Sequence, residues 1–148
     1  MNVVVDASVV IKWVFPESAQ EEHTAEALQL LEDIKAGRAF PRQPLHWLTE
    51  VAAVVTRLHP EIAEPVIDLL SAMEFPVVDD IAVLKKASRL SMDLNHHLFD
   101  TLYHAVALET GATLVSADDV YCRKARRLGK LIRLASWKGV QPAETVES

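Results

Sequence analysis

Residues 2–10 read Asn-Val-Val-Val-Asp-Ala-Ser-Val-Val (NVVVDASVV). Three successive valines bounded by a carboxylate have the pattern of a buried strand that stops at Asp6. Asp is seldom fully buried without a partner. Asp6 therefore either caps a helix that begins at Ala7 or belongs to a site.

Outward from this stretch the chain alternates short β-rich runs with longer helical ones. A short helix is expected over 7–15, stopped by Pro16. Ser18 has the composition of an N-cap for a helix reaching Ala36, with Gly37 just past its end. Its apolar positions Ala27, Leu28, Leu31 and Ile34 recur at helical spacing. A short strand follows over 38–41, then a helix opened by Pro44 and running to His59, with Leu45, Leu48, Ala52, Val55 and Leu58 as its stripe. Further helices are expected over 61–73 and 81–92, the second capped by Asp79 or Asp80 after a brief strand at 76–78. The helix over 98–110 is apolar nearly all round and reads as buried. Gly111 ends it, a strand follows over 112–116, then a helix over 117–128 and a last strand at 131–133. Strands separated by helices predict an α/β domain with a largely parallel sheet. In such open sheets, sites form at the carboxyl ends of strands. Asp6 lies at one such end, and Asp118 just beyond another.

The 148 residues suit a single domain over 1–148, with 139–148 as a loose tail. Half the residues are hydrophobic and 24% are charged, which is ordinary globular composition. Cys122 is the only cysteine, so an intrachain disulfide and a Cys-rich metal site are both excluded. A reducing, cytoplasmic setting fits that count. Asp6 and Lys12 interrupt the only candidate for a leader segment. No run approaches the roughly 18 apolar residues of a membrane span, so no membrane partner is expected.

Charge is unevenly placed. Residues 123–138 hold Arg123, Lys124, Arg126, Arg127, Lys130, Arg133 and Lys138 and no acid, leaving eight basic against twenty-one acidic residues elsewhere, a balance of −13. Such a block can be the footprint of a polyanion or a solvated helix face.

Four acids are candidates for one site: Asp6, Glu50, Asp100 and Asp118. Asp100 falls in the first turn of the buried helix and Asp118 ahead of another, where a carboxylate is also stabilised by free N–H groups and the helix dipole. Glu50 lies off its helix's apolar stripe, on the side of His46 and Arg57, as a solvated glutamate would. Gathered in one cleft, these carboxylates would repel one another and hold protons unless a cation sat between them. Mg²⁺ or Mn²⁺, hard and oxygen-loving, is the natural occupant.

The runs VVVDASVVIKW, PLHWLTEVAAVVTR and LFDTLYHAVALETGATLVSADD resemble the successive motifs of PIN-domain ribonucleases, and within them the VapC-type toxins of toxin–antitoxin pairs. The resemblance spans residues 2–134. It implies an α/β/α sandwich with a parallel sheet of four or five strands. It implies Asp6 and Asp100 as the main ligands of Mg²⁺ or Mn²⁺, with Asp118 completing the acidic set and Glu50 orienting water or a second ion. Ser8 and Ser116 would hydrogen-bond the acidic side chains. An activated water would then attack an RNA phosphodiester. The implied partners are RNA, a cognate antitoxin and, through apolar surface on the first helices, a second copy of the chain. Arg123, Lys124, Arg126 and Arg127 would contact phosphates or grip the antitoxin.

The chain departs from the family pattern at Ala53, where many relatives carry Asn, and at Ser116, where Thr is commoner. Asp119 adds an acid beside Asp118, a candidate substitute for it. His104, one turn after Asp100, either touches the site or is a core histidine bonded elsewhere. The His96-His97 pair either touches RNA or is a solvated loop, and Trp13, Trp47 and Trp137 read as packing residues. The alternative function is a catalytically silent PIN-like module that binds RNA or protein. A receiver domain would need paired acids after the first strand and a Lys after the last, where VVVDAS supplies one Asp only; a dehalogenase-like phosphatase would need Asp-x-Asp, and Ser8 takes the third place.

Overall fold

The computed structural model describes residues 1–18 and 21–141. Of the tail expected over 139–148, residues 142–148 lie outside the described residues. The elements are β1 (Asn2–Val5), α1 (Ala7–Val14), α2 (Thr24–Lys35), β2 (Phe40–Pro41), β3 (Gln43–Pro44), α3 (Trp47–Leu58), α4 (Ala63–Ser71), β4 (Val77–Val78), α5 (Ile81–Leu94), α6 (Leu98–Thr110), β5 (Thr113–Ser116), α7 (Asp119–Ala125) and β6 (Leu131–Arg133).

Four strands form one parallel sheet in the order β2-β1-β5-β6, flanked by helices, as an α/β pattern requires. Val3, Val4 and Val5 pair with Thr113, Leu114 and Val115, and the Asp6 amide donates to the Val115 carbonyl at 3.1 Å. This register sets the carboxyl ends of β1 and β5 side by side. All three valines are fully buried, which is why the run carries no polar residue until Asp6.

The outer edge of β1 is completed by a side chain. β2 pairs only with Asn2 and Val3. Beyond it, fully buried Gln43 takes over the ladder: its Oε1 accepts the Val5 N–H and its Nε2 donates to the Val5 carbonyl, both at 2.8 Å. The backbone of Gln43 and Pro44 pairs instead with Val77 and Val78, in a separate two-stranded parallel ribbon. That pairing delays α3, which starts at Trp47 rather than at Pro44.

The helix expected from Ser18 begins at Thr24. His23 before it adopts a left-handed backbone (φ 59°), which interrupts the helical path. Glu21 in this segment pairs with Lys12 at 2.6 Å, which allows Lys12 to lie buried on α1. Asp80 takes the N-cap position of α5, but its side chain makes no capping bond. α6 spans the range expected for it and is buried along most of its length.

The remaining apolar residues of α1 and α6 form the core with the sheet. Trp13, Trp47 and Trp137 are all buried. Trp137 donates to Asp33, which also accepts from Arg38, Gln29 and the Val140 amide, tying the chain after β6 to α2. Because α1 is consumed by the core, large exposed apolar side chains lie elsewhere: Leu45, Leu84 and Phe99 line one shallow cavity between the start of α3, α5 and α6. Among the described residues, no helix is long and apolar enough to cross a membrane.

Candidate active site

Asp6 and Asp118 occupy matching places, each capping the helix that follows its strand. Asp6 Oδ2 accepts the Ser8 amide at 3.1 Å and the Ser8 hydroxyl at 2.5 Å. Asp118 Oδ1 accepts the Tyr121 amide at 3.1 Å. Each cap uses one carboxylate oxygen, so the other has no hydrogen-bond partner among the described residues. Capping and membership of a site are therefore compatible for both acids. Ser8 Oγ, having donated to Asp6, accepts the Ala117 amide at 3.0 Å and clips the two strand-end turns together.

Asp100 enters from the first turn of α6. Its Oδ2 lies 2.9 Å from His96 Nε2. One ligand atom each from His96, Asp100 and Asp118 fall within 4.8 Å of one another. Glu50 reaches in from α3 and is anchored rather than solvated: its Oε2 accepts the Tyr103 hydroxyl at 3.0 Å. His46 Nε2 lies 3.1 Å from the same oxygen but out of hydrogen-bond alignment.

The acids act on one another. Burial pushes the Asp6 carboxyl up to about 7; the two Ser8 bonds oppose this, and the charges of Glu50 and Asp100 add to it. Burial also raises Asp100, where the His96 bond opposes the shift and the Glu50 and Asp118 charges reinforce it. Burial, with the nearby acids adding to it, holds the Tyr103 and Tyr121 phenols above their usual range, so both keep their protons. The Cys122 thiol is pushed up to about 11, chiefly by burial, and is no nucleophile at neutral pH. An acidic pocket that favours protonated carboxyls while empty of cations is a pocket that a divalent cation neutralises. Oxygen donors with one imidazole nearby fit an ion of the Mg²⁺ or Mn²⁺ kind.

Other sequence candidates take different places. Ser116 is buried and its Oγ accepts the Asp118 amide at 3.1 Å, so it supports the turn and not an acidic side chain. Asp119 is exposed and pairs with Arg133 at 2.9 Å, an engagement that leaves Asp118 as the acid of this turn beside Asp100. His104 is a core histidine: Nε2 meets the Gly129 carbonyl and Nδ1 the Tyr121 hydroxyl, each at 2.8 Å. Arg123, Lys124, Arg126 and Arg127 are exposed and line an open cavity of about 360 Å³ with Asp93 and Leu94.

Sequence reasoning missed Tyr103, and it read His96 only as an RNA contact or part of a solvated loop, not as a neighbour of Asp100. Tyr103 carried a usable signal, standing three residues after Asp100 in the same helix. His96 carried none, because it lies outside α6, just after Asn95, whose left-handed backbone (φ 50°) ends α5.

The PIN domain family model matches residues 3–127. The chain belongs to the PIN domain family. Its fold is similar to that of a toxin–antitoxin complex from Klebsiella pneumoniae, with a TM-score of 0.66 and 16% identity over 89% of this chain and 97% of that one. It is equally similar to VapBC2 from Rickettsia felis bound to a promoter DNA fragment, with a TM-score of 0.65 and 16% identity over 90% and 97% of the two chains. At that identity the likeness is one of fold. No curated protein matches the sequence.

Proposed function

We propose that this PIN-domain protein is a metal-dependent endoribonuclease, the toxin of a toxin–antitoxin pair. The observation that supports the reading is electrostatic: the charges of Glu50 and Asp100 help raise the Asp6 carboxyl, and those of Glu50 and Asp118 help raise Asp100. Asp6 and Asp100 would hold Mg²⁺ or Mn²⁺, with Asp118 completing the set. When bound, the ion supplies a water of lowered pKa and polarises the phosphodiester. Glu50, held by Tyr103, would orient a water or hold a second ion. The Ser8 and Ser116 bonds keep the two strand-end turns in register. Exposed Arg123, Arg126 and Arg127 supply positive charge for the RNA backbone or for the antitoxin. The toxin–antitoxin identity of the two structural neighbours supports an antitoxin partner, and a second copy of the chain is the remaining partner in this reading.

The test is cleavage of tRNA and rRNA by the purified chain with Mn²⁺, with Mg²⁺ and with EDTA, beside an Asp100→Asn protein prepared identically. Metal-dependent cutting that the variant lacks is the expected result. Equal cutting by both proteins exposes a contaminant, and no cutting by either favours the silent binding module.

A further inference from the structure

Lys124 belongs to the basic block whose sequence suggests polyanion contacts, yet its ammonium is engaged on the protein. Nζ donates to the Asn95 carbonyl at 3.1 Å and lies 3.3 Å from His96 Nδ1. An ammonium offers only hydrogens. Nδ1 must therefore accept, and the ring hydrogen of a neutral His96 sits on Nε2. That nitrogen faces Asp100 Oδ2 at 2.9 Å, so the contact is an N–H donated to a carboxylate.

His96 is held for this purpose on every side. Its amide donates to the Ser91 carbonyl at 3.1 Å and its carbonyl accepts the Ser91 hydroxyl at 2.5 Å. Its ring meets Tyr121 edge-on at a centroid distance of 5.0 Å, and its side chain is only 9% exposed. The contact with Asp100 occupies Oδ2. Oδ1 is left as the Asp100 oxygen with no hydrogen-bond partner among the described residues.

We propose that His96 and Lys124 are positioning residues for Asp100: Lys124 selects the His96 tautomer, and the His96 Nε2–H fixes the carboxylate so that its free oxygen serves the divalent cation. This rests on the metal-site reading above. Direct ligation by His96 is disfavoured by the same contacts. Nε2 has no lone pair while it carries the hydrogen, and moving that hydrogen to Nδ1 would set it against the Lys124 ammonium. Partners that orient a metal-binding carboxylate in this way typically change metal affinity by roughly 10- to 100-fold when removed.

The experiment is a Mn²⁺ titration of the full chain followed by electron paramagnetic resonance at one pH and ionic strength, with thermal melts in EDTA alongside. His96→Ala is expected to weaken Mn²⁺ binding roughly 10- to 100-fold, and Lys124→Ala by a smaller factor. His96→Gln, which keeps an N–H donor, is expected to recover most of the loss. The bound Mn²⁺ of the wild-type chain is expected to show no directly bonded nitrogen. Wild-type affinity in both alanine variants overturns the proposal, as does failure of His96→Gln to recover binding. A strong nitrogen coupling that His96→Ala abolishes also overturns it, by making His96 a ligand. Should His96→Ala melt early, exposed Lys124→Ala carries the test alone. A wild-type chain that binds no Mn²⁺ removes the metal-site reading itself, and the proposal with it.

Discussion

Replacing Asp6 by Asn should stabilise the metal-free fold more at pH 8 than at pH 5. The Asp6 carboxyl titrates at about 7 in the folded chain against 3.8 for an ordinary aspartate. For an acid raised on folding, the unfolded chain releases its proton first. Stability therefore falls as pH rises from about 4 to about 7 and is level above that. A displacement of this size corresponds to at most about 4 kcal/mol. Asp6 is half-buried as a residue, so about half of that is a fair expectation. Asn retains an oxygen for the Ser8 amide and hydroxyl while removing the buried charge. With about 2–4 °C of melting temperature per kcal/mol for a chain of this size, the gain at pH 8 is about 4–8 °C. The assay is a pair of thermal melts in EDTA at pH 5 and pH 8 for wild type and Asp6→Asn, compared as a difference of differences so that other titrating groups cancel. A gain of equal size at both pH values, or a less stable variant at pH 8, would refute the electrostatic account of this pocket. Added Mn²⁺ should raise the wild-type melting temperature and leave the variant's unchanged.

Two further outcomes follow from buried polar contacts. Gln43→Met keeps the side-chain volume but strands the Val5 N–H and carbonyl, at about 1–3 kcal/mol for each buried orphan; urea denaturation should show a total loss of about 2–5 kcal/mol with an unchanged slope, and a loss below about 1 kcal/mol would deny the ladder role. Asp33→Asn should cost about 2–3 kcal/mol at pH 7, where the wild-type carboxylate is bound by Arg38, Trp137 and Gln29. Those bonds hold the Asp33 carboxyl below its ordinary 3.8 against its own burial, so its contribution is present above that value and fades as pH falls below it. Denaturation midpoints of the two proteins should therefore converge in acid.

Much of the site's frame was legible because local physics writes it. A run of three valines can only be buried on both faces, and the polar residue that ends it must stand at the strand's end. That reasoning located Asp6, and its counterpart located Asp118 after β5. The all-round apolar helix ended by Gly111 gave α6 its bounds and put Asp100 in its first turn. Boundaries failed where a distant partner intervened. Ser18 has the composition of a cap, but a left-handed His23 and the Lys12–Glu21 pair postpone α2. Pro44 reads as a helix opener, but Gln43 and Pro44 are claimed by β4.

The sequence by itself determined the α/β alternation, the parallel sheet, the family and the strand-end positions of Asp6 and Asp118. Only the tertiary structure decided which distant groups hold the site and its strand in place: Glu50 by Tyr103 across 53 residues, Val5 by Gln43 across 38 and His96 by Lys124 across 28. Periodicity records which face of an element is buried, because burial depends on the local repeat of the chain. It does not record which donor meets which acceptor. That depends on crossing geometry between elements far apart in sequence, and the same feature that makes Asp100 a candidate from sequence leaves its supporting histidine and lysine to be found in three dimensions.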